Sequence, residues 1–201
     1  MNCDRIARWY RWLEYAGFGG ALQRRRLAFL DQLTNARRVL VLGDGDGRAL
    51  QALLDRNRQA TVDSIDLSGR MLELARARAG QRADRVTFRQ ADALTASLPE
   101  GEYDLIVTHF FLDCFDQKDL SLLVERLAQA AQPRAQWVIS EFRKPGLMVA
   151  FLYLFFRAAT GLKNRRLVDY HPLLAKQGFE LKRSASAWGG RLVSELWTRN
   201  F

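Results

Sequence analysis

Two cysteines, two histidines and the want of a membrane-length apolar run set the first limits on this 201-residue chain. Cys3 and Cys114 form no Cys-x-x-Cys pair, and with His109 and His171 they give no cluster at metal-ligand spacing. No metal is therefore expected, and both cysteines read as free thiols of a reducing compartment. The apolar stretch Leu147–Phe156 ends at Arg157, well short of the roughly 20 residues that span a bilayer. The N-terminus carries Asp4, Arg5 and Arg8 and has no uninterrupted apolar core, so it does not read as a secretory signal. A cytoplasmic location is the default expectation. Acids are in the minority, 22 against 31 Lys and Arg, for a formal net charge of +9. Such an excess suits nucleic acid, an anionic membrane surface or an acidic substrate, and it suits plain solubility equally well.

What the chain does have is ordinary for a folded domain: 48% apolar and 26% charged residues. Val39–Leu42 is an apolar run that meets three alternating glycines, Gly43, Gly45 and Gly47, and a helix-forming stretch follows. That pattern predicts a buried strand, a tight turn and the N-terminus of a helix, where bare backbone and free N–H groups can meet a ligand. Further strands are predicted over 61–66, 85–90, 104–109 and 136–142. Helices are predicted over 48–57, 68–79, with Ser68 as N-cap, and 117–132. Alternation at this rhythm means βαβ units and a parallel sheet. Gly189-Gly190 between two late strands predicts a closing antiparallel hairpin. Residues 5–33 read as helical, with a break at 17–20, and are expected to form a lid. The expected architecture is a single α/β domain with a Rossmann-like, doubly wound, mostly parallel seven-stranded sheet. Its parts are a helical lid (1–35), a cofactor-binding core (36–145), apolar substrate or lid helices (146–178) and the hairpin (179–201).

The glycine turn does not fit a dinucleotide. In G-x-G-x-x-G the third glycine would fall at position 48 or 50, which hold Arg48 and Leu50. No Gly-Lys-Ser/Thr ending marks a P-loop. Asp44 and Asp46 lie inside the turn and would repel phosphate. Asp66 ends the second strand nineteen positions past Gly47, the distance at which an acid accepts hydrogen bonds from ribose hydroxyls. Asp92 follows the third strand, where it could accept from an adenine amino group. The glycine turn, Asp66 and Asp92, on three successive strand ends, together point to a nucleoside-binding crevice.

The ordered motifs Val39–Gly47, Ile65-Asp66-Leu67-Ser68 with Met71-Leu72, Gln90-Ala91-Asp92-Ala93 and Tyr103–Val107 resemble those of the class I S-adenosylmethionine-dependent methyltransferases. The resemblance implies S-adenosyl-L-methionine as cofactor. Gly43, Gly45 and Gly47 would border its methionine end, Asp66 would take the ribose, Leu67 would flank the adenine, Asp92 and Ala93 would meet the base, and Met71 would also belong to the cofactor site. Where the family has an acid two residues before the first glycine, this chain has Val41, and Asp44 is the candidate replacement. Asp4-Arg5-Ile6-Ala7 with Tyr10, Ser140-Glu141-Phe142-Arg143-Lys144-Pro145 and His171-Pro172-Leu173-Leu174 resemble the quinone-biosynthesis C-methyltransferases within that family. By that resemblance Tyr10 would reach the cofactor.

Methyl transfer asks the protein mainly for alignment, and for a base only when the acceptor loses a proton. His109, at the end of the fourth strand, is the candidate base and cofactor neighbour, and Asp113 is expected to orient it if the segment turns helical. His171 reads as a pocket wall or a cap. The Leu147–Phe156 stretch, flanked by Arg143, Lys144, Lys163, Arg165 and Arg166, admits three readings: pocket helix, dimer contact, or peripheral contact with the inner face of a membrane. The expected partner is a small, lipophilic or aromatic acceptor. The alternatives are a phospholipid or other small-molecule N- or O-methyltransferase, and a non-catalytic cofactor-binding or membrane-associated protein. An RNA methyltransferase is a third alternative, motivated by the charge, but the want of an Asp-Pro-Pro-Tyr type motif argues against amino-group methylation of nucleic acids and nucleic acid is not the expected partner; oligomeric state is left open.

Overall fold

Val39, Leu40, Val41 and Leu42 are all buried, because successive side chains of a central strand point to opposite, covered faces of the sheet. The computed structural model describes residues 19–143 and 168–200. Strand β1 (Arg38–Leu42) leads through helix α2 (Arg48–Arg56) to β2 (Thr61–Asp66), then through α3 (Gly69–Ala79) to β3 (Val86–Gln90). The chain returns across β1 to β4 (Tyr103–His109), and α4 (Gln117–Ala130) leads to β5 (Ala131–Phe142). A short α5 (His171–Lys176) precedes β6 (Phe179–Ala187) and β7 (Leu192–Arg199), and a six-residue α1 (Ala21–Arg26) precedes β1. The sheet order is β3-β2-β1-β4-β5-β7-β6. β1 to β5 pair in parallel, while β7 inserts antiparallel between β5 and β6. This is the predicted doubly wound sheet with its C-terminal hairpin.

The two faces of β1 part the core. Leu40 and Leu42 join Ile106, Trp137 and Ile139 beneath the apolar face of α4. Val39 and Val41 join Leu50, Leu53 and Leu54 of α2 and Ala75 of α3. Strand order reverses between β1 and β4, so the carboxyl ends of these strands open the crevice where doubly wound sheets bind ligands.

Where boundaries differ from expectation by more than a residue, or where a long-range contact sets them, the cause is tertiary. The helix predicted as far as Leu33 stops at Arg26, and a 3₁₀ turn follows at Leu30–Gln32. There Phe29, Leu30 and Leu33 drop into the α2 side of the core, and the Asn57 side chain donates to the carbonyls of Leu33 and Ala36 at 3.2 and 2.6 Å. Those bonds replace a helical ladder. The helix predicted to residue 132 ends at Ala130, because Ala131 already pairs with Tyr103. Between Ala131 and Gln136 the register shifts, and the extra residues include Pro133 and Arg134, the latter at φ +62°. β3 starts at Val86, since the Arg85 side chain turns aside to donate to the carbonyls of Leu54 and Asn57. Tyr10 and most of the predicted lid, and the apolar 147–156 stretch, lie outside the described residues. Among the described residues no helix is long and apolar enough to cross a membrane.

Candidate functional site

Gly43, Gly45 and Gly47 all have positive φ, at +62°, +61° and +79°. For two of them the first reason is internal. A Cβ on Gly43 would overlap the Phe111 ring, and one on Gly47 would lie 2.6 Å from the Ala75 Cα of α3. The turn is thus closed onto the protein at two of its three glycines. The two acids inside it differ sharply. Asp46 is buried and bound by Arg48 Nε and Arg78 Nη2, each at 2.8 Å, while Arg78 Nε donates to its carbonyl at 2.8 Å. It bolts the turn to α3, and its charge is neutralised from within. Asp44 Oδ2 accepts from the Leu50 N–H at 2.8 Å, but Oδ1 is inaccessible and has no partner among the described residues. Burial pushes its carboxyl up to about 6, against the opposing pull of the Leu50 N–H and of Arg26.

Along the neighbouring strand ends the structure aligns the other expected cofactor residues. Asp66 caps β2, half-buried, with Oδ1 accepting from the Ser68 N–H at 2.8 Å. Ser68 is the N-cap of α3, its hydroxyl accepting from Met71 N–H at 3.1 Å. Leu67 stands exposed beside it, whereas the Met71 side chain is buried. Asp92, exposed beyond β3, accepts from the Leu94 N–H at 2.9 Å, and Ala93 is buried next to Leu40 and Leu42. Asp66 and Asp92 each form an Asx turn and stand on adjacent strand ends, joined by the bond from Ala91 N–H to the Asp66 carbonyl at 3.1 Å.

The tips of β4 and β5 carry a second cluster. His109 is 2% exposed, and neither ring nitrogen has a partner among the described residues. Burial and then the nearby Arg26 charge push its pKa down to about 3, so it is neutral. The expected His109–Asp113 pair is not formed. The segment makes only a 3₁₀ turn at Leu112–Cys114, which turns Asp113 toward Glu141. Glu141 is 2% exposed, and its Oε1 accepts from the N–H groups of Phe111 and Leu112 at 2.9 and 2.8 Å. Its Oε2 has no partner among the described residues. Burial and the Asp113 charge hold Glu141 well above the usual carboxylate range.

Two residues of this cluster escape a sequence reading. Glu141 is one acid in the apolar run Trp137–Phe142, and that misplaced charge is the available signal. Arg26 lies in a triple-arginine run that suggests solvent, yet it is 3% exposed, with its guanidinium 5.1 Å from the Phe110 ring centroid. Beyond β5 lies a cavity of about 440 Å³ lined by Phe142, Arg143, Val168, Asp169, Tyr170 and His171. Its inner wall is braced by Glu195 of β7, fully buried. Glu195 receives Arg143 Nη2 at 2.9 Å, the Tyr170 hydroxyl and Trp197 Nε1 at 3.1 Å each, and stands 3.0 Å from His171 Nε2.

A switch-point crevice with a glycine turn on β1, an acid on β2 and an acid beyond β3 defines a class I methyltransferase fold. Residues 39–134 match the family described as Methyltransferase domain. The demethylmenaquinone methyltransferase of Thermus thermophilus is 33% identical over 129 residues, covering 64% of this chain and 58% of that protein. Its Deinococcus radiodurans counterpart is 29% identical over 136 residues, covering 66% and 56%. The chain therefore spans a little over half the length of these relatives. Among solved structures, mitomycin 7-O-methyltransferase superposes with a TM-score of 0.73 at 20% identity, over 99% of this chain and 61% of that one. The 1,6-didemethyltoxoflavin-N1-methyltransferase of Burkholderia thailandensis, solved with bound 1,6-didemethyltoxoflavin and S-adenosylhomocysteine, gives a TM-score of 0.70 at 15% identity over 98% and 85%. These two support the fold. The chain thus has the fold of the class I S-adenosylmethionine-dependent methyltransferases and is similar in sequence to demethylmenaquinone methyltransferases.

Proposed function

We propose that this protein transfers a methyl group from S-adenosylmethionine to a small, lipophilic or aromatic acceptor. The observation that carries the reading is the buried Asp44 Oδ1 in the glycine turn, without a partner among the described residues and one strand away from Asp66. An orphaned buried acceptor costs about 1–3 kcal/mol, and a bound ammonium would satisfy it. When bound, the cofactor supplies a methyl group on a sulfonium, open to in-line displacement. The residues of this chain then hold and align the two reactants. Asp66 takes the ribose, Leu67 and the Asp92–Ala93 turn flank the base, and Gly43, Gly45 and Gly47 keep the backbone close. His109, neutral and desolvated, offers a hydrogen bond rather than a proton sink, because a base with a pKa near 3 takes up protons poorly at neutral pH. Glu141 Oε2 is the better matched proton acceptor for an acceptor that must lose one. The cavity between Phe142 and His171 is the proposed seat of the acceptor.

Calorimetry tests the cofactor part. S-adenosylmethionine should bind the wild type, and Asp66→Ala should weaken it about 10- to 100-fold, the loss of one or two hydrogen bonds to a charged group. A wild type that binds neither S-adenosylmethionine nor S-adenosylhomocysteine overturns the reading. A demethylated quinol ring heads the acceptor panel, on the strength of the relatives' names; simple phenols and phosphatidylethanolamine follow it and decide between C-, O- and N-methylation. With a net charge of +9, a chain serving a lipophilic acceptor should also float with anionic vesicles and not with neutral ones.

A further inference from the structure

The β6–β7 hairpin turns at the crevice end of the sheet. Leu192 pairs with Ala187 on one side and with Phe142, the last residue of β5, on the other. The tip, residues 188–191, therefore runs past the carboxyl end of β5. The Arg143 N–H donates to the Arg191 carbonyl at 2.8 Å, and Phe142 and Arg143 also wall the cavity proposed as the acceptor's seat. Tip and cavity stand side by side. Trp188 opens the tip and is 39% exposed. Its φ is +54°, a backbone region that bulky residues seldom adopt. The Gly190 N–H donates to the Ala187 carbonyl at 3.1 Å and the Arg191 N–H to the Trp188 carbonyl at 3.3 Å, which holds the turn in that shape. Core packing does not require it: Trp188 lies outside the core, and a Cβ on Gly189 beside it would meet only open space. Strain kept at an exposed indole marks a functional position rather than a packed one.

The rim around the tip is basic. Helix α1 is fastened there: the Arg25 carbonyl accepts from the hydroxyls of Ser140 and Ser194 at 3.1 and 2.8 Å, and Ala21 and Leu22 pack with Phe142 and Leu192. Arg24 of α1 is exposed, and so is Arg191 on the tip. Arg143 stays half-exposed even while it holds Glu195. Against these three arginines stands one exposed acid, Asp169 of the cavity wall. An indole settles at the boundary between headgroups and acyl chains, where its ring leaves water and its N–H does not. Arginines beside it attract anionic headgroups. A nucleic-acid strand asks for something else, a groove with successive aromatic rings on which bases stack. The exposed large apolar side chains among the described residues are three leucines and this one indole, which suits a plane better than a strand. Resting on the acceptor reading above, we infer that the hairpin tip is a membrane-docking site: Trp188 enters the headgroup layer of an anionic bilayer while Arg191 and Arg24 hold lipid phosphates. That contact sets the acceptor cavity beside the layer in which a lipophilic acceptor dissolves.

Flotation with vesicles of phosphatidylcholine, alone or with added phosphatidylglycerol, tests this. The wild type should bind the anionic vesicles about tenfold or more tightly than the neutral ones, and less so as salt rises. Trp188→Ala should weaken that binding about tenfold. Changing Arg24 and Arg191 together to Gln should remove most of the preference for anionic lipid, at about fivefold per arginine. Brominated phosphatidylcholine in the anionic vesicles should quench the tryptophan fluorescence of the wild type, and Trp188→Phe should lose most of that quenching while still floating. Each variant should bind S-adenosylhomocysteine in calorimetry as the wild type does, because none of these residues belongs to the crevice. A wild type that stays off anionic vesicles, or quenching unmoved by Trp188→Phe, overturns the docking site. So does a Trp188→Ala variant that floats unchanged but binds a single-stranded RNA less tightly. A wild type that docks on vesicles yet binds neither S-adenosylmethionine nor S-adenosylhomocysteine overturns the methyltransferase reading and leaves the docking site standing.

Discussion

Asp44 holds a carboxyl where ionisation is costly. Its folded-state pKa is about 6 against an ordinary 3.8, so the native state binds the proton more tightly than the unfolded chain. Stability contributed by the protonated form is then lost as pH rises from about 4 to 6. Asp44→Asn should therefore raise the stability of the ligand-free protein at pH 7.5 by about 1–3 kcal/mol, and much less at pH 4, in urea titrations at both values. His109 has the opposite sign. Its pKa is depressed to about 3, so its contribution is full above pH 6.5 and is lost as pH falls toward 3. His109→Phe should flatten that acid limb. A variant that leaves both limbs unchanged would remove the electrostatic account of these two groups. Asp44, Asp66 and Asp92 could be read from the sequence because each follows a recognisable strand. Arg26 and Glu141 could not, because what marks them is burial against distant strands, and a triple-arginine run looks like solvent until its helix is docked.

The β1 turn, α2 and α3 act as one unit. Asp46 ties the turn to Arg78 of α3, and Gly47 lets α3 approach at Ala75. Gly47→Ala would add a Cβ 2.6 Å from backbone and fix a side chain at φ +79°, combining overpacking with left-handed strain. We expect a loss of about 2–4 kcal/mol in denaturant titration, and an unchanged midpoint would refute the contact. The strands of this unit were legible because apolar runs bounded by glycine and acid are local signals. The end of the N-terminal helix was not, because Asn57 claims the carbonyls of Leu33 and Ala36 from more than twenty positions away. The end of α4 was hidden for a like reason, since the pairing of Ala131 with Tyr103 competes with one more helical turn.

Across the whole molecule, parallel order and hairpin were readable from rhythm, but the insertion of β7 between β5 and β6 was not. No local pattern in Leu192–Arg199 states which strand it will join. That insertion buries Glu195 completely among Arg143, Tyr170, His171 and Trp197. Removing one partner of such a buried set costs about 3–5 kcal/mol, so Glu195→Ala should lower the melting temperature by several degrees while Glu180→Ala, at the exposed edge, should not.

Arg143 and Tyr170 stand 27 positions apart in sequence, yet both close on the single carboxylate of Glu195. Positions 143 and 170 are therefore riveted at one point of the sheet. Because loop closure costs only about 0.6 kcal/mol per doubling of length, the number of residues between these two anchors should be open to change while the sheet and its crevice keep their register.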